Sequence, residues 1–298
     1  EIFDKQKDFG VRTFGMPENP GYLGVCFGCL ITANSPATQM PGPANWEAVL
    51  WHEFCHTVTL AMTKNKMPRW LSEGISVFEE RVANPTWGQR INPRYREMIL
   101  GGELTPVSQL SGAFMAPKSG EHLQFAYYQS SLVVEHIVER FGHEAIVAIL
   151  EKLRQGVEIN AALAQVAEPI EQLDAAFEAY AVKRAKSLGP NLDWKKPRPD
   201  ELQGELPRQA EGETPNFYQL SERARRLVKE RKWEEAKPLC HTLILLCPDR
   251  ADGEANPYAL LASCHRELKE FTQERETLEI LAWRSNDAYE VSLRLIEL

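Results

Sequence analysis

The stretch "WHEFCHTVTL", residues 51–60, sets His52 and His56 four positions apart, with Glu53 directly after the first. Four residues of a helix turn through about 400° and rise about 6 Å, so the two imidazoles share one face and can grip one ion. Glu53 falls to the side of that pair. From there its carboxylate can take a proton from water without itself being a ligand, which is the chemistry of a zinc hydrolase. Two histidines serving only helix packing would show the same spacing, so the metal reading needs a further ligand.

A catalytic zinc takes three protein ligands and keeps one open position. The segment "PRWLSEGISVFEE", residues 68–80, offers Glu73, seventeen positions past His56. That is room for a first helix to finish, turn and return, and Gly74 suits a close approach of the two helices.

"HEFCH" followed by "WLSEG" resembles the gluzincin peptidases, the superfamily that includes thermolysin, aminopeptidase N and the bacterial peptidase MA-like proteins. The resemblance implies one zinc ion on His52, His56 and Glu73, with Glu53 as general base. In aminopeptidase N relatives another acid, seven residues past the third ligand, supports the site. Glu80 holds that place here, on Glu73's side of the helix, although a solvated charge in "FEERV" would read the same way.

The resemblance extends to "FAYYQSSLVVEHIVERFG", residues 125–142. In the aminopeptidase N family a tyrosine opening such a helix bonds the oxyanion. Aligning the apolar pairs puts Tyr127 there, with Tyr128 one position off as the alternative, and His122 as a further candidate in thermolysin's manner. The G-x-M-E-N motif that anchors a substrate's free amine in aminopeptidases has no counterpart. Matching its following strand to "CLITAN" places Cys26 where the glutamate would be, and Glu18 is the one acid between Asp8 and Glu47. Internal cleavage of a peptide is therefore expected rather than aminopeptidase action, with "CLITAN" offering strand hydrogen bonds to an extended substrate.

The elements that must carry these residues can be read in outline. Residues 11–35 mix glycine, proline, aromatic and β-branched residues and read as short strands and turns. Asn45 caps a helix from Trp46 to about Thr63, and Pro68 fits the first turn of a second, about Arg69 to Val82. Apolar spacing predicts another from Glu121 to Phe141, ended by Gly142, and two or three more over 143–187. The expected fold class is α+β, mostly α: a gluzincin-type peptidase domain over 1–187 with short N-terminal strands.

Residues 188–215 carry five prolines and little apolar periodicity, and read as a linker. Beyond it, over 216–298, "ERKWEEAKPLCHTLILLCPD" and "ELKEFTQERETLEILAWRSND" align at an offset of 38, Trp233 over Phe271. These stretches resemble tetratricopeptide repeats in the placing of the aromatic, Ala236 and Pro248. The second copy departs with Glu274 and Asn286 at the alanine and proline positions. Such arrays bury their faces against neighbouring repeats and bind protein partners, so a third repeat opening at "AYEVSLRLIEL" is expected to continue beyond the segment.

The remaining features narrow the function class. A net charge of −8 gives no electrostatic reason to expect nucleic acid or an anionic membrane as partner, and no apolar run is long enough to span a bilayer. The first ten residues are charged and do not read as a signal peptide, which leaves the compartment open. Cys55, Cys240, Cys247 and Cys264 sit in apolar helical patterns and read as buried thiols. Cys26 and Cys29 form a lone "CFGC", without the second pair of a zinc ribbon or the helix of a redox motif. The alternative to a peptidase is an interaction protein, whose helical array binds a partner and whose zinc domain is a structural remnant. Such a remnant has no need of Glu53.

Overall fold

The computed structural model describes residues 1–16, 23–35, 45–198, 202, 214–251, 253, 256–285 and 289–298. Its contacts divide the chain into two units, Glu1–Ala185 and Lys186–Leu298. No described helix is long and apolar enough to cross a membrane.

The first unit opens with β1 (Ile2–Phe3) and α1 (Gln6–Phe14). Residues 11–14, which read as strand or turn, are helical. Phe9 is fully buried between Phe3 and Phe14, with ring centroids 5.9 and 5.8 Å away, so burial of that ring outweighs the local strand preference. Gly15, at φ 71°, then closes the helix in the left-handed conformation.

β2 (Gly24–Phe27) and β3 (Leu30–Asn34) form a hairpin across Gly28 and Cys29, with Gly28 at φ 61° as a two-residue turn requires. The sheet order is β1-β3-β2, with β3 parallel to β1 and antiparallel to β2. "CLITAN" is therefore the central strand, and β2 lies at the edge.

α2 (Trp46–Thr63) begins where Asn45 accepts a hydrogen bond from the Ala48 N–H, and Lys64 closes it at φ 53°. α3 (Arg69–Ala83) follows with Pro68 as its N-cap, one position ahead of the first turn. α3 is buried nearly all round. Trp70, Leu71, Ile75 and Phe78 join the core, each contributing roughly 1.5–3 kcal/mol by burial.

α4 (Pro93–Leu100), α5 (Leu110–Met115), α6 (Gly120–Phe141), α7 (His143–Arg154), α8 (Ile159–Val166) and α9 (Ile170–Ser187) share the core of α3, which itself packs against α2, α5 and α6, while α7 packs against α2, α6 and α8. Ser119 caps α6 and Gly142 ends it at φ 82°. A Cβ on Gly74 would lie 2.7 Å from the Ser130 carbonyl oxygen. The close approach that Gly74 permits is thus between α3 and α6, rather than between α2 and α3. Glu135 of α6 ties the layers together, pairing with Arg81 at 2.7 Å and accepting from Tyr180 and Arg184 at 2.9 Å each.

The second unit contains α10 (Phe217–Lys229), α11 (Trp233–Leu246), α12 (Pro257–Glu267), α13 (Phe271–Arg284) and α14 (Tyr289–Glu297). Asn216 caps α10, Leu188 and Leu192 are buried, and Trp194 stacks on Phe217 at 4.3 Å. Half of the expected linker, residues 199–201 and 203–213, and Asn286 lie outside the described residues. Glu274, where the repeat pattern has a small residue, is buried and held by Arg294 of α14 at 2.7 and 2.9 Å. A charge that would be costly alone is thus neutralised by a forked partner.

Candidate metal centre

One helical turn on α2 brings the rings of His52 and His56 to a centroid separation of 4.7 Å. α3 packs across them and delivers Glu73, whose Oε2 lies 3.2 Å from His52 Nε2 and 3.4 Å from His56 Nε2. These three side chains offer ligand atoms all within 4.8 Å of one another, a group able to hold a metal ion. Two imidazole nitrogens and one carboxylate oxygen are a donor set that suits zinc.

The outward nitrogens are also engaged. His52 Nδ1 lies 2.6 Å from Glu80 Oε1, and His56 Nδ1 lies 2.9 Å from Ser72 Oγ. Ser76 donates to the His52 carbonyl at 3.2 Å and stands 3.3 Å from His56 Nδ1. Such partners fix ring orientation and point Nε2 to where a metal ion could be held. Glu80 is therefore a buried partner of His52 and not a solvated charge. Ser72 and Ser76 were not singled out in the sequence, although their spacing from Glu73 puts all three on one helical surface.

Electrostatics follow this geometry. Burial opposes ionisation of Glu73, but hydrogen bonds from His52 and His56 outweigh it and hold the carboxyl well below the usual range. Burial likewise opposes the charge on His52, but Glu73 and Glu80 raise its pKa to about 10. Glu53 is buried beside the pair, and its carboxylate makes no hydrogen bond among the described residues. Burial raises its pKa, with His52 and His56 opposing.

β2 presses directly on Glu53. A Cβ on Gly24 would lie 2.9 Å from Glu53 Cγ and 3.1 Å from its Oε1. Only glycine lets this strand rest there, and its position in "GVCF" gave no sign of that contact. Cys26 follows two residues on, its thiol pKa raised by burial, then by the charges of Glu53 and Cys29.

The aromatic donors separate clearly. The Tyr127 hydroxyl donates to Glu73 Oε1 at 3.4 Å. Tyr128 is buried and stacked on Tyr95 at 4.9 Å, away from the cluster. His122 is engaged elsewhere, with Ser119 Oγ at 2.8 Å and Glu103 Oε2 at 3.1 Å. Arg69 was also missed: its Nε lies 3.2 Å from Glu73 Oε1.

All six cysteines are free, and Cys240, Cys247 and Cys264 are buried as expected. Cys55 is only half-buried, since α2 turns that face outward. Burial and the charges of Glu79 and Glu80 push its thiol up to about 12.

Residues 40–182 match the model of the Peptidase MA superfamily, a stretch just under half the chain that contains His52, Glu53, His56, Glu73, Glu80 and Tyr127. The match supports a gluzincin-like peptidase domain over these residues. No curated protein and no solved structure matches the chain.

Proposed function

We propose that residues 1–187 form a zinc-dependent peptidase that cuts peptide bonds within a chain. Residues 188–215 link it to a tetratricopeptide-like module, 216–298, that binds the substrate or a protein partner. One observation carries the enzymatic reading. Glu73 Oε2 and the two histidine Nε2 atoms converge on one point, while the Glu53 carboxylate stands beside them with no hydrogen bond of its own among the described residues.

When bound by His52, His56 and Glu73, zinc would supply Lewis acidity, easing deprotonation of water and polarising the scissile carbonyl. Glu53 takes the proton of the attacking water and delivers it to the leaving amine. Burial raises its pKa above the ordinary carboxylate value, which makes it a stronger base than an exposed glutamate. Tyr127 donates to the developing oxyanion, a preorganised bond of the kind worth about 3 kcal/mol. Glu80, Ser72 and Ser76 hold the imidazoles, so that no reorganisation is needed as the reaction proceeds.

The edge strand supports internal cleavage. Asn34 N–H donates to the Leu23 carbonyl at 2.9 Å, so ladder alternation turns the N–H and C=O of Gly24 and Cys26 outward from the sheet. An extended peptide can pair there, above Glu53, on β2 and not on the central β3. β2 carries a thiol where an amine anchor would need a carboxylate.

The test compares the zinc-loaded protein with Glu53→Gln on a broad library of internally quenched peptides. Turnover should fall by several orders of magnitude in the variant at unchanged zinc content. Equal activity would remove the peptidase reading for those substrates.

A further inference from the structure

Arg69, the first residue of α3, has no part in the roles above, yet its guanidinium joins two of their residues. Nε lies 3.2 Å from Glu73 Oε1, and Nη2 donates to the Tyr127 hydroxyl at 3.0 Å. The guanidinium also rests on the Phe114 ring, 5.6 Å from its centre, and the same ring meets Tyr127 edge-on at 5.2 Å. Arg69, Phe114 and Tyr127 are therefore one packed unit. Glu73 divides its oxygens between two tasks, Oε2 toward the histidines and Oε1 toward this unit.

We infer that Arg69 is a positioning residue for Tyr127, and that it fixes the phenol so that its proton can pass from Glu73 to a developing oxyanion. A phenolic oxygen has one proton to give and lone pairs that accept. Arg69 occupies a lone pair and so turns the proton toward the Glu73 side. The bond it makes there is long, 3.4 Å, and is the one given up when a stronger acceptor forms nearby. The 3.0 Å bond from Arg69 persists through that swing and holds the ring in place. Two separate nitrogens of a planar fork are needed to reach Glu73 and Tyr127 together, which a lysine's single charged head cannot do.

This inference rests on the peptidase reading, and its test separates the two. On a cleaved peptide, Tyr127→Phe should lower kcat by about a hundredfold, as loss of an oxyanion donor does. Arg69→Met should lower kcat by roughly thirtyfold with KM within about twofold, and should cost less than about threefold once Tyr127 is Phe. Arg69→Lys, which keeps a charge at the start of α3, should show the same coupled loss and stands in if the Met variant does not fold. Binding of an N-phosphoryl dipeptide, a tetrahedral anion, to the zinc-loaded proteins gives a readout without turnover. Both single variants should weaken it by similar factors, and the double variant by no more than either. Additive losses, or a change confined to KM, overturn the inference. If Glu53→Gln turns out fully active, the peptidase reading falls, and the coupling seen in phosphoryl-dipeptide binding alone decides the role of Arg69.

Discussion

His52 Nδ1 and Glu80 Oε1 lie 2.6 Å apart, and this one contact turns the opposite nitrogen of the ring toward Glu73. Removing the carboxylate should free the ring to rotate. Glu80→Ala should weaken zinc binding by about 10- to 100-fold, the usual cost of losing a ligand's outer partner, measured by competition with a chromophoric chelator. Unchanged affinity would make Glu80 a bystander.

Proton release should accompany metal binding. Burial disfavours a charged His52, but its bonds to Glu73 and Glu80 prevail and place its pKa at about 10, above the ordinary 6.5. A raised folded pKa means a contribution to stability that is complete below the ordinary value and is lost as pH rises through about 10. The metal-free protein should therefore melt at progressively lower temperature from pH 6.5 to pH 10. A metal ion needs Nε2 unprotonated, so apparent affinity should climb about tenfold per pH unit across that range, with roughly one proton expelled per ion. Calorimetry in buffers of different ionisation enthalpy counts that proton. Affinity that is flat with pH would mean His52 is neutral before the ion arrives.

Gly24 sets the position of Glu53, the proposed base. With a Cβ 2.9 Å from Glu53 Cγ, Gly24→Ala must displace either β2 or the carboxylate. A shift on the order of 1 Å at a reacting group costs about a hundredfold in rate. Turnover should fall steeply while zinc content, measured by atomic absorption, stays at one per chain. Full activity would show that β2 yields without moving Glu53.

Gly74→Ala probes the fold that carries Glu73, the proposed third ligand. Its Cβ would stand 2.7 Å from the Ser130 carbonyl, which is backbone and cannot rotate away. The cost should be about 1–3 kcal/mol, read from denaturant unfolding of the metal-free protein. A change within a few tenths of that scale would mean α3 and α6 part easily.

The candidate metal-binding group was legible in the sequence because its spacing is dictated by helix geometry. His52 and His56 are one turn apart, and Glu73 sits inside a second strongly patterned helix. Asn45, Gly142 and the apolar spacing of α6 marked helix ends for the same local reasons. What stayed hidden depends on contacts between distant segments. Residues 11–14 look extended by composition, and only the burial of Phe9 makes them helical. The choice of edge strand was equally invisible, since the pairing of Ile2 and Phe3 with β3 joins residues some thirty positions apart. Arg69 directly precedes the "WLSEG" stretch, and Ser72 lies within it. Their roles come from how α3 lies against α2 and α6, which no spacing rule states.

The outward amides and carbonyls of Gly24 and Cys26 bear on what state a target must be in. A segment can join that edge only if its own backbone groups are unspent, so a stretch already committed to a helix or a sheet interior is refused. Selection on those grounds reads foldedness before it reads side chains. Under the peptidase reading, loosely structured loops, frayed ends and damaged chains would be cut, while a well-packed neighbour of identical sequence would survive until it opened locally. The rate of such cutting would then report the opening equilibrium of the target as much as any preference of the cleft.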